Sequence, residues 1–208
     1  MTELTSGRRP PKFELVAGNV CLDFINTLDD RPSVQPRELL TRYLDLVRFG
    51  EDTGLLDSGI VDYLFEHSHA APEKTQEALA AAIELREAMY AVFSAVVAKR
   101  PAPAGALAML NAYVQEAAGQ VRLVEVNGRF EWRFDYLTSL GSLRWPIARA
   151  AAELLASAQL PLVRTCSSPT CQWFFLDTSK NHHRRWCSMK QCGNRAKVRK
   201  FYAKKKTV

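Results

Sequence analysis

Four cysteines near the end of this 208-residue chain, Cys166, Cys171, Cys187 and Cys192, are spaced C-x4-C-x15-C-x4-C. Two close pairs of soft thiolates form the donor set that closes a tetrahedral shell around one zinc ion. Four thiolates leave no open position for water, so the implied zinc is structural and no catalytic residue is expected: the chain does not read as an enzyme. Disulfides and a redox pair are the competing uses of these thiols. Neither pair has the C-x-x-C spacing of redox chemistry. His182 and His183 lie between the pairs, in a polar loop where a solvated or phosphate-contacting role is ordinary. Cys21, between Val20 and Leu22, reads as a small buried hydrophobe.

The segment from Met1 to Lys12 holds Arg8, Arg9 and two prolines but no apolar secretory core, which predicts a reducing, cytoplasmic location. The longest apolar stretch, Ala91 to Ala98, is far short of the ~20 residues that span a bilayer, so no membrane partner is expected. Charge is unevenly divided. Residues 164–208 contain twelve Lys or Arg against one acid, Asp177, while residues 1–163 carry a net charge of −5. A zinc ion with four thiolates contributes −2, leaving about +9 on the C-terminal segment, a field that attracts polyanions.

The elements that must position these groups can be read from periodicity. A helix is expected over residues 19–28, followed by one that starts after Pro36 and ends at Gly50, with Asp57 capping a third. Residues 72–99 form the longest periodic block, with Leu79, Ile83, Leu85, Met89, Val92, Phe93 and Val96 on a broad apolar face. Pro101 and Pro103 break it before a further helix that ends near Gly119. The period then changes to two, around Asn127-Gly128, which predicts a β-hairpin over residues 121–134. Helical spacing returns from Leu140 to Gln159. The expected fold is mainly α with one β-hairpin (α+β), in two parts: residues 1–160 as a mostly helical domain and residues 161–208 as a small four-cysteine module. In the module, the strand Trp173–Leu176 should return through His183–Trp186. A basic helix should follow Cys192, with Val198, Phe201 and Tyr202 packed on Trp173 or Trp186. A knuckle, a hairpin and a ligand-bearing helix start describe a treble clef; the spacing is also open to a zinc ribbon.

The run Cys192-Gly193-Asn194-Arg195, with the upstream cysteine pair, Trp173, Phe174 and Asp177, resembles the CGNR zinc finger. Gly18, Leu22-Asp23-Phe24, Asn26-Thr27 and Arg31 resemble the ABATE domain that commonly precedes that finger. The resemblance implies a stress-induced transcription regulator that binds DNA through the finger, with Cys192 as the ligand that launches the basic helix.

Arg184, Arg185, Arg195, Lys197, Arg199 and Lys200 are the expected nucleic-acid contacts, with DNA favoured over RNA. Asp23, Asn26, Thr27 and Arg31 are expected either to form a buried hydrogen-bond network or to line a ligand pocket. A helical domain with Trp132 and Trp145 could hold a small-molecule effector, and could equally be an enzymatic or small-molecule-binding domain with the finger as an interaction module. Homodimerisation would add to the limited discrimination of one small finger.

Overall fold

The structure, a computed structural model, describes residues 12–205, with the side chain of Lys204 excepted. The readings placed on Arg8 and Arg9 lie outside the described residues. The elements run α1 (Val20–Ile25), β1 (Leu28–Asp29), β2 (Arg37–Glu38), α2 (Tyr43–Asp52), α3 (Ser58–Ala70), α4 (Pro72–Val97) and α5 (Ala104–Gln120). The chain continues through β3 (Val121–Val126), β4 (Arg129–Phe134), α6 (Arg144–Leu155), β5 (Val163–Thr165), β6 (Phe174–Leu176) and α7 (Asn194–Lys205). The architecture is α+β, as expected, but the β content is three separate antiparallel pairs, β1–β2, β3–β4 and β5–β6, and not the hairpin alone.

Local chemistry explains most boundaries. The Asp57 carboxylate accepts from the Ile60 amide at 2.9 Å and starts α3, and Pro72 occupies the first turn of α4. Asn127 and Gly128 both sit in the left-handed region, φ 52° and 75°, the pair of conformations that a tight two-residue hairpin turn requires. The helix expected from Pro36 starts later. Asp45 accepts from the Thr41 and Arg42 amides at 3.0 and 3.2 Å, which caps α2 at Tyr43. Residues 37–38 stay extended because the Glu38 carboxylate forks onto buried Arg86, at 2.7 Å to each terminal nitrogen. Nor does Gly50 end that helix. It lies inside α2, where a Cβ would fall 2.6 Å from Leu56 and 2.9 Å from Leu143.

One core joins everything. α1 packs against α4, α6 and β6, so Leu22, Phe24, Leu85, Met89, Phe93 and Ile147 share a cluster with Phe174, Phe175 and Leu176 of the C-terminal module. β6 is the seam. Its inner edge pairs with β5, in the register Val163–Leu176 and Thr165–Phe174, and not with the His183–Trp186 segment the sequence suggested. Its outer edge is closed by the helical domain. The Asn26 amide donates to the Phe174 carbonyl and accepts from the Phe174 N–H, each at 2.9 Å, and the Ala17 carbonyl accepts from the Leu176 N–H at 2.7 Å. A sheet edge that would otherwise be left open is satisfied by one side chain and one loop carbonyl.

Asn26→Ala should therefore cost roughly 2–5 kcal/mol, because it strands two buried backbone groups of Phe174. Urea unfolding of the zinc-loaded chain measures this, and a loss below about 0.5 kcal/mol would remove the clamp from the account.

Candidate metal centre

The first two cysteines lie on a knuckle that β6 follows. The Cys166 amide donates to the Trp173 carbonyl at 2.8 Å and the Cys171 amide to the Ser168 carbonyl at 3.1 Å. Of the second two, Cys187 precedes and Cys192 lies within a wide turn over Met189–Gly193, in which the Gly193 amide donates to the Ser188 carbonyl at 3.0 Å before α7 begins. The Ser167 amide, bonded to the Arg185 carbonyl at 2.8 Å, ties the two halves. All four sulfurs are buried and lie within 4.8 Å of one another, with Cys171 to Cys187 at 3.6 Å and Cys187 to Cys192 at 3.7 Å. A zinc–sulfur distance of ~2.3 Å in a tetrahedron gives sulfur–sulfur edges of ~3.8 Å, so these residues fit one four-coordinate zinc. Two ligands come from the knuckle between β5 and β6, and the last lies in the turn that leads into α7.

The surroundings favour thiolate. The amides of Ser168 and Cys187 point at the Cys166 sulfur and that of Trp173 at Cys171. Hydrogen bonds from Cys171 and Cys187 pull Cys166 well below the usual thiol range, and the same contacts with Cys166 push Cys171 and Cys187 up. Four thiols this close cannot all ionise among themselves. A divalent cation at their centre resolves the conflict. His182 and His183 are exposed and take no part: among the described residues the ligand cluster is all cysteine, and His182 Nδ1 lies 2.9 Å from the Asp177 carbonyl. Cys21 is buried away from the cluster, its thiol pushed far up by burial.

Two arginines expected on the nucleic-acid surface have other duties. Arg184 is the clear difference. Its Nε donates to the Trp186 carbonyl at 2.9 Å, its Nη2 donates to the carbonyls of Val16, at 3.1 Å, and Cys187, and its guanidinium stacks 4.5 Å from the Phe175 ring. A guanidinium committed to three carbonyls and an aromatic face is a brace between the modules. Arg195 donates to the Cys192 sulfur at 3.1 Å, the outer-shell contact that orients a metal ligand, while most of the residue stays exposed. Asn194 holds the preceding turn through the Lys190 carbonyl at 3.0 Å. Arg199 reaches Ser168 Oγ at 3.3 Å, and Arg185, Lys197 and Lys200 are exposed. Because Arg195 and Arg199 face the knuckle, α7 turns the other way from the sequence reading. Val198, Phe201 and Tyr202 are 54%, 57% and 61% exposed and do not pack on either tryptophan.

Of the N-terminal polar set, Thr27 and Arg31 join one hydrogen-bond network through Arg86 and Glu87, while Asp23 and Asn26 have separate partners. Asp23 accepts from the Ala17 amide at 2.9 Å, Asn26 holds β6, and Thr27 accepts from Arg86 at 3.2 Å. Arg31 pairs with Glu87 at 2.8 Å and lies 3.9 Å from the Tyr90 ring. The network that does form is Arg31–Glu87–Arg86–Glu38, centred on Arg86, which is only 2% exposed. Burial alone would lower Arg86, but Glu38 and Glu87 outweigh it and raise it; burial likewise works against the Glu87 carboxylate, which Arg31 and Arg86 nonetheless hold below its usual range. The sequence signal was available: an arginine inside the apolar stripe of α4 has to be paired. Asp177 was also underread. It is buried, accepts from the amides of Ser179 and Arg184, and so shapes the loop between the cysteine pairs. Trp145 is buried with its indole N–H on Glu116 at 2.8 Å, whereas Trp132 is 61% exposed, so the two do not line a common cavity. A cleft of about 540 Å³ opens elsewhere, between Tyr63, His67 and Lys74 and the segment 137–144.

The family described as "Putative stress-induced transcription regulator" (ABATE) matches residues 18–158, and the CGNR zinc finger matches residues 163–205. No curated protein matches the chain. No helix among the described residues is long and apolar enough to cross a membrane.

Because the metal module shares its core with the helices, zinc removal should destabilise the whole chain. Chelation is expected to lower the midpoint of a single unfolding transition, read by circular dichroism, with cobalt titration giving one thiolate-coordinated equivalent. A finger that melts alone while the helices keep their midpoint would contradict this. Burial raises the Asp23 carboxyl from 3.8 to about 6, against the amides of Ala17 and Val16. Between those values the folded chain holds a proton that the unfolded chain has released, so stability falls as pH rises and the loss is complete above about pH 6. Asp23→Asn keeps an acceptor for Ala17 without the charge. Its advantage in urea unfolding should grow from pH 5 to pH 7, reaching roughly 1–2 kcal/mol.

Proposed function

Since the chain belongs to the ABATE family and carries a CGNR zinc finger, we propose that it is a regulatory protein whose zinc-held C-terminal module binds DNA. The observation that carries this reading is a division of labour among the basic residues. Arg184 reaches inward to three carbonyls, Arg195 and Arg199 are exposed but tied to the Cys192 sulfur and Ser168 Oγ, and Arg185, Lys197 and Lys200 are exposed on the same small module. Zinc, when bound, supplies a fixed scaffold. The chain's own residues supply the field, about +9 over residues 164–208 with the metal counted, against −5 on residues 1–163. Screening confines that field to within ~8–10 Å of the surface at physiological salt, so it acts on a polyanion drawn against this face.

Phosphate contact by the exposed set positions the module, and base contact from α7 supplies discrimination. Arg195 links the two roles: replacing it weakens the metal site first and nucleic-acid binding as a consequence. Ligand sensing by the helical domain belongs to the same reading, with the cleft beside Tyr63, His67 and Lys74 as its location in place of the Asp23–Arg31 set. A second reading, single-stranded RNA, is favoured by Phe201 and Tyr202, which stand exposed beside Lys197 and Lys200 and can stack on unpaired bases.

Unbiased selection of bound nucleic acid, with and without a chelator, tests the reading; no enrichment in either condition removes it. On a selected duplex, about four or five phosphate contacts give a log–log salt slope near −4. A combined Arg185→Ala, Lys197→Ala, Lys200→Ala chain should make that slope shallower by about 2–3 with zinc content unchanged, whereas Arg195→Ala should lose zinc more readily. Competition between duplex DNA and single-stranded RNA, repeated with Phe201→Ala and Tyr202→Ala, separates the two polymers.

A further inference from the structure

The two faces of the β3–β4 hairpin differ in their aromatic and charged content. The register Val121–Phe134, Leu123–Trp132 and Glu125–Phe130 gathers five apolar side chains and one charge on one face. The other face carries Arg122 directly opposite Arg133, Val124 opposite Glu131 and Val126 opposite Arg129, with the two valines half-buried and the charged side chains exposed. Like charges opposed across a strand pair need water, so the charged face is the solvent face. The apolar face is nevertheless exposed: Leu123, Phe130 and Trp132 are 54%, 68% and 61% accessible. Its root is anchored, where the Phe134 ring meets Tyr136 and Trp145 at 6.2 and 6.4 Å. Two-stranded hairpins are marginal in water unless their apolar face is covered.

We propose that this face is a homodimer interface, covered by the same face of a second copy of the chain. The three exposed residues present about 400 Å² of accessible surface, the size of the largest apolar patch on a typical monomer, which is often functional. Two such patches face to face bury about 800 Å², and the flanking Val121, Glu125 and Phe134 with the strand backbone extend the contact toward the ~1,200 Å² at which specific interfaces begin. A second copy is the partner that the charge pattern selects. The face carries only Glu125, so an identical face meets it without like-charge repulsion, and a two-fold axis over the Leu123–Trp132 pair lays the tip of each arm on the root of the other. The other exposed aromatic patch, Val198, Phe201 and Tyr202 on α7, lacks this property. Lys197, Lys200 and Lys205 surround it, which repels a second copy and suits a polyanion. The hairpin lies apart from the cysteines, so the inference rests on neither zinc nor nucleic acid.

Sedimentation equilibrium of the full-length, zinc-loaded chain from about 1 to 100 µM is the test. Dimer is expected in that range, and Phe130→Lys with Trp132→Lys should weaken it at least tenfold while zinc content and circular dichroism stay unchanged. Phe201→Lys with Tyr202→Lys should leave the dimer intact. A chain that is monomeric throughout, a dimer that survives the hairpin changes, or one lost with the α7 changes would each overturn the proposal. Should the hairpin variant fold poorly, hydrogen exchange of residues 121–134 in the unaltered chain decides instead. Protection that rises with concentration supports the interface, and protection independent of concentration overturns it.

Discussion

One buried amide determines how this chain is put together. Asn26 presents a donor and an acceptor to the carbonyl and N–H of a single residue, Phe174, and so performs for β6 what a neighbouring strand would do. Without it the outer edge of β6 would be buried against α1 with two unmet backbone groups. With it, Phe174, Phe175 and Leu176 enter the core of the helical domain, and the knuckle that begins at Cys166 inherits its position from α1 and α4. A segment of about 45 residues, too small to support a core alone, is stabilised both by four thiolates and by a core it shares.

The same economy governs the arginines. A guanidinium is planar and offers several donors, so it suits a position where several carbonyls converge as well as it suits phosphate. Arg184 is used in the first way, bridging Val16, Trp186 and Cys187, and Arg86 ties Glu87 in its own helix to Glu38 of β2 and to Thr27 in the turn after α1. Arg195 bonds a ligand sulfur, and a positive charge beside a thiolate stabilises its ionised form. The positive charge of the module therefore has an inner part that holds the metal scaffold and an outer part left to solvent. A count of basic residues cannot separate the two.

The parts of the fold that were legible in sequence are those set by local rules. Asp57 and Pro72 start helices through groups within a few residues, Asn127-Gly128 closes a hairpin through its own dihedral angles, and α4 follows from the spacing of Leu85, Met89, Val92 and Phe93. The failures share one cause. Pro36 looked like a helix start until Glu38 found Arg86, 48 residues away, and Trp173–Leu176 looked like half of a hairpin until β5 and Asn26 took its two edges. The stripe Val198, Phe201 and Tyr202 has the spacing of a buried face, yet Arg195 and Arg199 fix the rotation of α7 by reaching the knuckle.

The sequence by itself determined the metal site, because four cysteines in two close pairs are the donor set of one tetrahedral zinc ion. It also determined the helical class and the place of the hairpin. The tertiary structure alone decided which arginines are structural, which face of α7 and of the hairpin meets solvent, and how the finger is joined to the helices. Those are contacts between residues such as Asn26 and Phe174, 148 positions apart. A side chain's hydrogen-bond capacity is written in its chemistry, but its partner is written only in the fold.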